Sequence, residues 1–162
     1  MRLTVVAALL LLAGIACAPR KQAALDAAKL KQFATDYTAA WCSQDAARVA
    51  AHYAGSGSLT INGNKATGRA AIAADAQGFM TAFPDMVVVM DSLVLTGSHP
   101  IYHWTFIGTN TGPGGTGKAV HFSGYEEWTI GADGLIAESN GHFDSAEYQR
   151  QLKEGASGGV AK

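Results

Sequence analysis

Apolar residues recur at Leu30, Phe33, Ala34, Tyr37, Ala40 and Trp41. Spacings of three, four and seven put them on one face of a helix. Ser43-Gln44-Asp45 interrupts the stripe, and Ser43 or Asp45 can cap a second, shorter helix through Val49 and Tyr53. Gly55-Ser56-Gly57-Ser58 reads as a flexible loop, Leu59-Thr60-Ile61 as a brief strand and Asn62-Gly63-Asn64 as a turn. A third helical stripe, Ile72, Ala76, Phe79, Met80 and Phe83, stops at Pro84, which cannot continue a helix. The remainder is strand-rich: Met86 to Leu95, Ile101 to Thr109, Ala119 to Ile130 and Leu135 to Phe143. An Asp133-Gly134 turn joins the last two, and Ser145 to Leu152 forms a short closing helix. Helices first and strands later predict an α+β fold, an antiparallel sheet covered on one side by helices. The other face is free to line a cavity or to pair with another subunit.

The first residues carry a different pattern. Arg2 precedes Leu3 to Ala16, which is apolar apart from Thr4 and Gly14. That run is shorter than the ~20 residues of a membrane-spanning helix and reads as a signal-peptide core. Gly14-Ile15-Ala16-Cys17 resembles a bacterial lipoprotein box, which makes Cys17 the lipid-modified first residue of the mature chain. Ala16-Cys17-Ala18 also satisfies ordinary small-x-small cleavage. The expected organisation is a signal peptide over 1–17, a tether over 18–24, one domain over 25–153 and a flexible tail over 154–162. The expected location is the periplasmic side of a bacterial cell envelope, with the membrane as a partner through the lipid. The second cysteine, Cys42, reads as a small buried hydrophobe or as a disulfide partner of Cys17.

Composition narrows the function. Of 162 residues 48% are hydrophobic, enough for a core, while 15% are charged and the formal net charge is -1. No basic stripe suits nucleic acid. Gly112 to Lys118 fits the spacing of a phosphate-binding loop, but Ala119 stands where Ser or Thr is required and a strand follows, so it reads as a glycine-rich hairpin loop. His99 and His103 lie four apart on a strand-like segment, where that spacing does not suit a metal, and no Cys/His pattern suggests zinc.

Strand parity places Glu138, Asn140, His142 and Asp144 on one face. If that face lines a cavity, Asp144 at the strand tip is a candidate general acid/base and His142 its assistant, because apolar walls raise a carboxyl pKa. The competing reading is a helix cap: Asp144-Ser145-Ala146-Glu147 has the form of a capping box, which holds the carboxylate ionised. His121, Tyr125 and Glu127 share a face of the preceding strand and read as exposed or subunit-contact residues.

Phe83-Pro84-Asp85, Gly108-Thr109-Asn110-Thr111-Gly112, Gly117-Lys118, Phe122-Ser123-Gly124, Asp133-Gly134 and Phe143-Asp144 with Gln151-Leu152 occur in the order typical of SnoaL-like proteins. Trp41 and Gln44-Asp45 fit the same pattern. The chain thus resembles, from about Leu30 to Leu152, the polyketide-cyclase-like members of the nuclear transport factor 2-like superfamily. The resemblance implies a cone-shaped α+β barrel, a strongly curved antiparallel sheet wrapped around N-terminal helices with an apolar pocket between them. Tyr37, Trp41, Phe79 and Phe83 lie on helical stripes of the kind that forms a core, and in this fold some of them would also floor the pocket, with Trp104 in core or pocket wall and Glu138 and Asn140 on the wall. The resemblance also implies chemistry without cofactor or metal, in which an aspartate at the position of Asp144 moves a proton. His103 and Asn140 stand where many members carry arginine and tryptophan, which implies a more polar pocket wall. Three uses follow: a cofactor-independent isomerase, cyclase or hydrolase acting on a small apolar ligand, a module that only binds such a ligand, or a homodimerising interaction domain.

Overall fold

A computed structural model describes residues 27–96 and 99–156. The expected signal peptide, Cys17 and the expected tether lie outside these residues, as does the expected tail beyond 156. The elements follow the order α1 (Ala27–Cys42), α2 (Ala46–Ala51), β1 (Tyr53–Ile61), β2 (Asn64–Thr67), α3 (Arg69–Ala82), β3 (Val87–Thr96), β4 (His99–Thr109), β5 (Ala119–Ile130), β6 (Ile136–Phe143) and α4 (Ser145–Glu154). The mixed α+β architecture and the curved sheet agree with the sequence reading.

The strands form one six-stranded sheet in the order β2-β1-β6-β5-β4-β3. All neighbours are antiparallel except β1 and β6, which run parallel. The expectation of a wholly antiparallel sheet is corrected at that pair. Register shifts interrupt β1 against β6, β3 against β4 and β5 against β6. Such bulges bend a strand and increase its twist, and here they accompany the curl of the sheet around α1. Tyr37, at the centre of α1, meets Tyr102 and Trp128 of the sheet edge-to-face, with ring centroids 5.6 and 5.2 Å apart.

Two local expectations change. Gly55 to Ser58 is strand, not loop, and Tyr53 opens β1 instead of closing α2. The run spans a bulge between the Tyr53–Ile136 and Ser58–Glu138 pairs with β6, which carry the strand across its weak propensity. Gly57 is needed there, since a Cβ would stand 2.7 Å from the Ile136 carbonyl oxygen. The short β2, which sequence reading missed, pairs with the end of β1 across the Asn62-Gly63 turn, where both residues have positive φ.

The closing helix is tied to the sheet by a side chain that imitates a strand edge. Gln151 is buried, accepts from the His121 N–H at 2.6 Å and donates to the His121 carbonyl at 2.9 Å. The chain stays attached beyond the expected start of the tail: α4 runs to Glu154, and the Ala156 N–H donates to the Ala119 carbonyl. Cys42 is half-buried and bonds both the N–H and the carbonyl of Val88 through its sulfur. Gly112 to Lys118 joins β4 to β5, folded around Asn110, whose Oδ1 accepts from the Thr116 N–H.

Candidate active site

The site is built on β5. Val120, Phe122, Glu126, Trp128 and Ile130 are buried, and their alternating exposed neighbours define the outer face. One position of this inward set is a carboxyl group. Glu126 is 6% exposed. Its Oε2 accepts from Ser139 Oγ at 2.7 Å, Trp128 Nε1 at 2.9 Å and the Tyr37 hydroxyl at 3.1 Å. Its Oε1 has only a 3.4 Å contact with that same Tyr37 hydroxyl. A phenol carries one hydrogen. When Tyr37 donates it to Glu126, the Tyr53 hydroxyl, 2.8 Å away, must donate to Tyr37. A chain of donors therefore runs from β1 through α1 to one oxygen of Glu126.

Burial sets the chemistry of this group. Loss of solvent raises the Glu126 pKa above its ordinary value, and the bonds from Trp128, Ser139 and Tyr37 only partly offset that. None of these donors is a cation. Burial likewise raises Tyr37, Tyr53 and Tyr102, so the surrounding phenols remain neutral.

Glu126 lies on the wall of an apolar cavity with Trp41, Leu59, Ile61, Phe79, Val88, Tyr102, Trp104, Phe106, Phe122, Gly141 and Phe143. The space open to the centre of a water-sized sphere is about 50 Å³. At roughly 10–15 Å³ per water on that measure, it holds a few waters or one compact head group. Ile61, Phe79 and Phe143 also border a wider outer groove of about 470 Å³, flanked by the β1–β2 turn, α3 and α4. These three residues form the collar between groove and cavity.

The residues named from sequence divide into distinct groups. Trp41, Phe79 and Trp104 line the cavity, while Phe83 lines the outer groove. Tyr37 stands behind the cavity as a ligand of Glu126. Glu138, Asn140 and His142 belong to the other face of β6, because Ser139, Gly141 and Phe143 are the inward positions. Glu138 pairs with Lys65 at 3.3 Å, and the His142 ring stacks on Tyr125, with centroids 5.0 Å apart. The cavity reading of that strand face is corrected: small inward residues leave room opposite Glu126, and the larger polar ones face out. His103 lies beside Tyr125 and, like Asn140, is absent from the cavity wall, so neither makes it more polar.

Asp144 is exposed and caps α4, its Oδ1 accepting from the N–H groups of Ala146 and Glu147 at 2.9 and 3.0 Å. Glu147 does not complete a reciprocal box; its carboxylate is held by Arg150 and Gln151. Sequence reasoning passed over Glu126. The signal was present in the even positions of β5, where Phe122, Trp128 and Ile130 flank it.

The SnoaL-like domain family matches residues 34–139, about two thirds of the chain, and the protein belongs to that family. No curated protein matches. Solved structures with the same fold include TsrD from Streptomyces laurentii, at 23% identity and a TM-score of 0.70, covering 80% of this chain and 98% of that one. A hypothetical protein with a ketosteroid isomerase-like fold from Catenulispora acidiphila, in complex with trimethylamine, matches at 15% identity and a TM-score of 0.67, covering 75% and 92%. A nuclear transport factor 2-like protein of unknown function from Burkholderia pseudomallei matches at 19% identity and a TM-score of 0.65, covering 75% and 95%.

Proposed function

We propose that the protein takes the compact head of a small, largely apolar molecule into its inner cavity, and that Glu126 exchanges a proton with it. The reaction class is cofactor-free isomerisation, cyclisation or hydrolysis. One observation carries this reading: a buried carboxyl group on a residue of the apolar cavity wall has one oxygen filled by three donors and the other with only a long contact to Tyr37. A general acid needs its pKa brought up toward working pH, and burial acts in that direction. Asp144, placed by resemblance in this role, is instead held by backbone N–H groups that favour its charge. The trimethylamine in the Catenulispora protein supports a compact, mainly apolar guest in this fold.

The sequence of residues 1–17 supports action outside the cytoplasm, anchored through Cys17. Pairing of two sheets as a homodimer draws support from the exposed Val87, Val89, Val94 and Leu95 on β3 and Tyr125 on β5.

The test begins with native mass spectrometry of protein purified from its own host, to capture the bound molecule. Conversion of that molecule is then followed with Glu126→Gln and Asp144→Asn. Glu126→Gln is expected to bind it and lose at least ~100-fold in rate, while Asp144→Asn keeps the wild-type rate. Loss of turnover in Asp144→Asn with retention in Glu126→Gln would return the acid to position 144.

A further inference from the structure

The inner cavity holds only the head of a guest. It offers about 50 Å³, and the groove outside the collar about 470 Å³. A guest longer than its head therefore lies mostly in the groove, and the chemistry of the groove selects it.

Helix α3 forms one wall. Ala74, Gly78 and Ala82 are small and recur every fourth residue, so they make a trough along one face. A Cβ at Gly78 would meet no atom within 4 Å, which leaves that stretch of wall open. Ile61, Phe79, Phe83 and Phe143 line the groove with apolar surface. Asp75 supplies the single carboxylate among the lining residues. It is exposed and makes no hydrogen bond or ion pair with any described residue. No base is among the lining residues. Lys65 and Arg150, which adjoin the lining residues Asn64 and Gln149, are paired with Glu138 and with Glu147 and Glu154. The Tyr148 phenol is pushed up by burial and stays neutral.

The fixed charge of the groove is thus negative, and it sits beside an apolar trough that is continuous with the cavity through the collar. An alkylammonium complements both features, with three donors and no acceptor on an apolar stem. Besides Asp75, the side-chain amide oxygens of Asn64 and Gln149 are acceptors on offer around the same groove. A carboxylate in that place would meet Asp75 with like charge.

We propose that the guest is an amphiphilic amine, its apolar end in the inner cavity and its ammonium group in the outer groove beside Asp75. Asp75 is then a specificity-determining residue. The inference rests on the cavity being the binding site, as proposed above, and adds the part of the guest that stays outside it.

The probes are hexylammonium, hexanol and hexanoate, which share one chain, titrated into 15N-labelled protein at neutral pH. The backbone amide of Gly78 reports on the groove and that of Gly141 on the cavity. Hexylammonium is expected to move both resonances. It should bind about three-fold more tightly than hexanol and about ten-fold more tightly than hexanoate, the scale of one exposed charge pair gained or opposed. Asp75→Asn, at an exposed position without a partner, should bring the three affinities within about two-fold. Added salt should narrow the preference of the wild-type protein. Equal affinities in the wild-type protein, a charge preference that survives Asp75→Asn, or a shift at Gly141 without one at Gly78 overturns the inference while leaving the cavity as a binding site. A shift at Gly78 without one at Gly141, or binding of no probe, overturns the inference and the cavity reading together.

Discussion

The hydroxyl of Tyr37, at the middle of the first helix, lies 3.1 Å from Oε2 of Glu126 on the fifth strand. Both residues are buried, and 89 positions of sequence separate them. This contact joins helix to sheet, beside the Cys42–Val88 bonds, and shares with Trp128 and Ser139 in positioning the acid. Tyr37→Phe removes a buried hydrogen bond to Glu126 and breaks the hydroxyl pair with Tyr53. The expected cost is about 1–3 kcal/mol, read from urea or thermal unfolding. The Glu126 pKa should rise further, because one of the bonds that lowers it is gone.

Stability should depend on pH through Glu126. Its folded pKa lies above the ordinary value of 4.5 because of burial. The contribution of the protonated group is therefore complete below the unfolded pKa, near 4.5, and is lost as pH climbs from there through the folded value. Over that window stability falls by up to about 1.4 kcal/mol per pH unit. The titratable groups facing Glu126 are the phenols of Tyr37 on α1, Tyr53 on β1 and Tyr102 on β4, all raised and silent in this window. Glu126→Gln should remove this decline while keeping the acceptor for Trp128 and Ser139. Parallel pH–stability curves for the two proteins would contradict it.

Asp144 should behave as a cap and nothing more. Asp144→Ala is expected to lose about 1 kcal/mol of stability and Asp144→Asn a few tenths. Neither should change the affinity of the cavity for a bound probe by more than about two-fold, as measured by titration calorimetry.

Gly112 is a packing requirement. A Cβ there would lie 1.9 Å from the Thr81 carbonyl oxygen, and the Gly112 N–H donates to the Ala82 carbonyl. Gly112→Ala should cost about 3 kcal/mol, the upper end of overpacking penalties. Gly114→Ala meets no atom within 4 Å but stands at φ 75°, so its smaller cost of about 1 kcal/mol reflects backbone strain alone. Chemical denaturation of the two variants separates the effects.

Much of the frame could be read from the chain. The stripe of α1, the stop at Pro84, the β5–β6 hairpin and the Asp144 cap each rest on a local rule that packing did not override. What could not be read is which face of β6 turns inward. Glu138, Asn140 and His142 alternate with Ser139, Gly141 and Phe143, and neither set is plainly apolar. Packing decides: Ser139 donates to Glu126, and at Gly141 a Cβ would already stand 3.2 Å from the Thr60 carbonyl oxygen. The acid itself was hidden by its neighbours. Glu126 follows Tyr125 and precedes Glu127, both exposed, so the segment looks like a polar surface. Only the alternation of Phe122, Trp128 and Ile130 shows that position 126 belongs to the core.

The most direct measurement is the titration of the Glu126 side-chain carboxyl by 13C NMR, assigned with Glu126→Gln. The account predicts that this carboxyl keeps its proton after the exposed glutamates have ionised, and that a probe entering the cavity perturbs its resonance. A carboxyl that ionises together with the surface groups and ignores every apolar probe would contradict it.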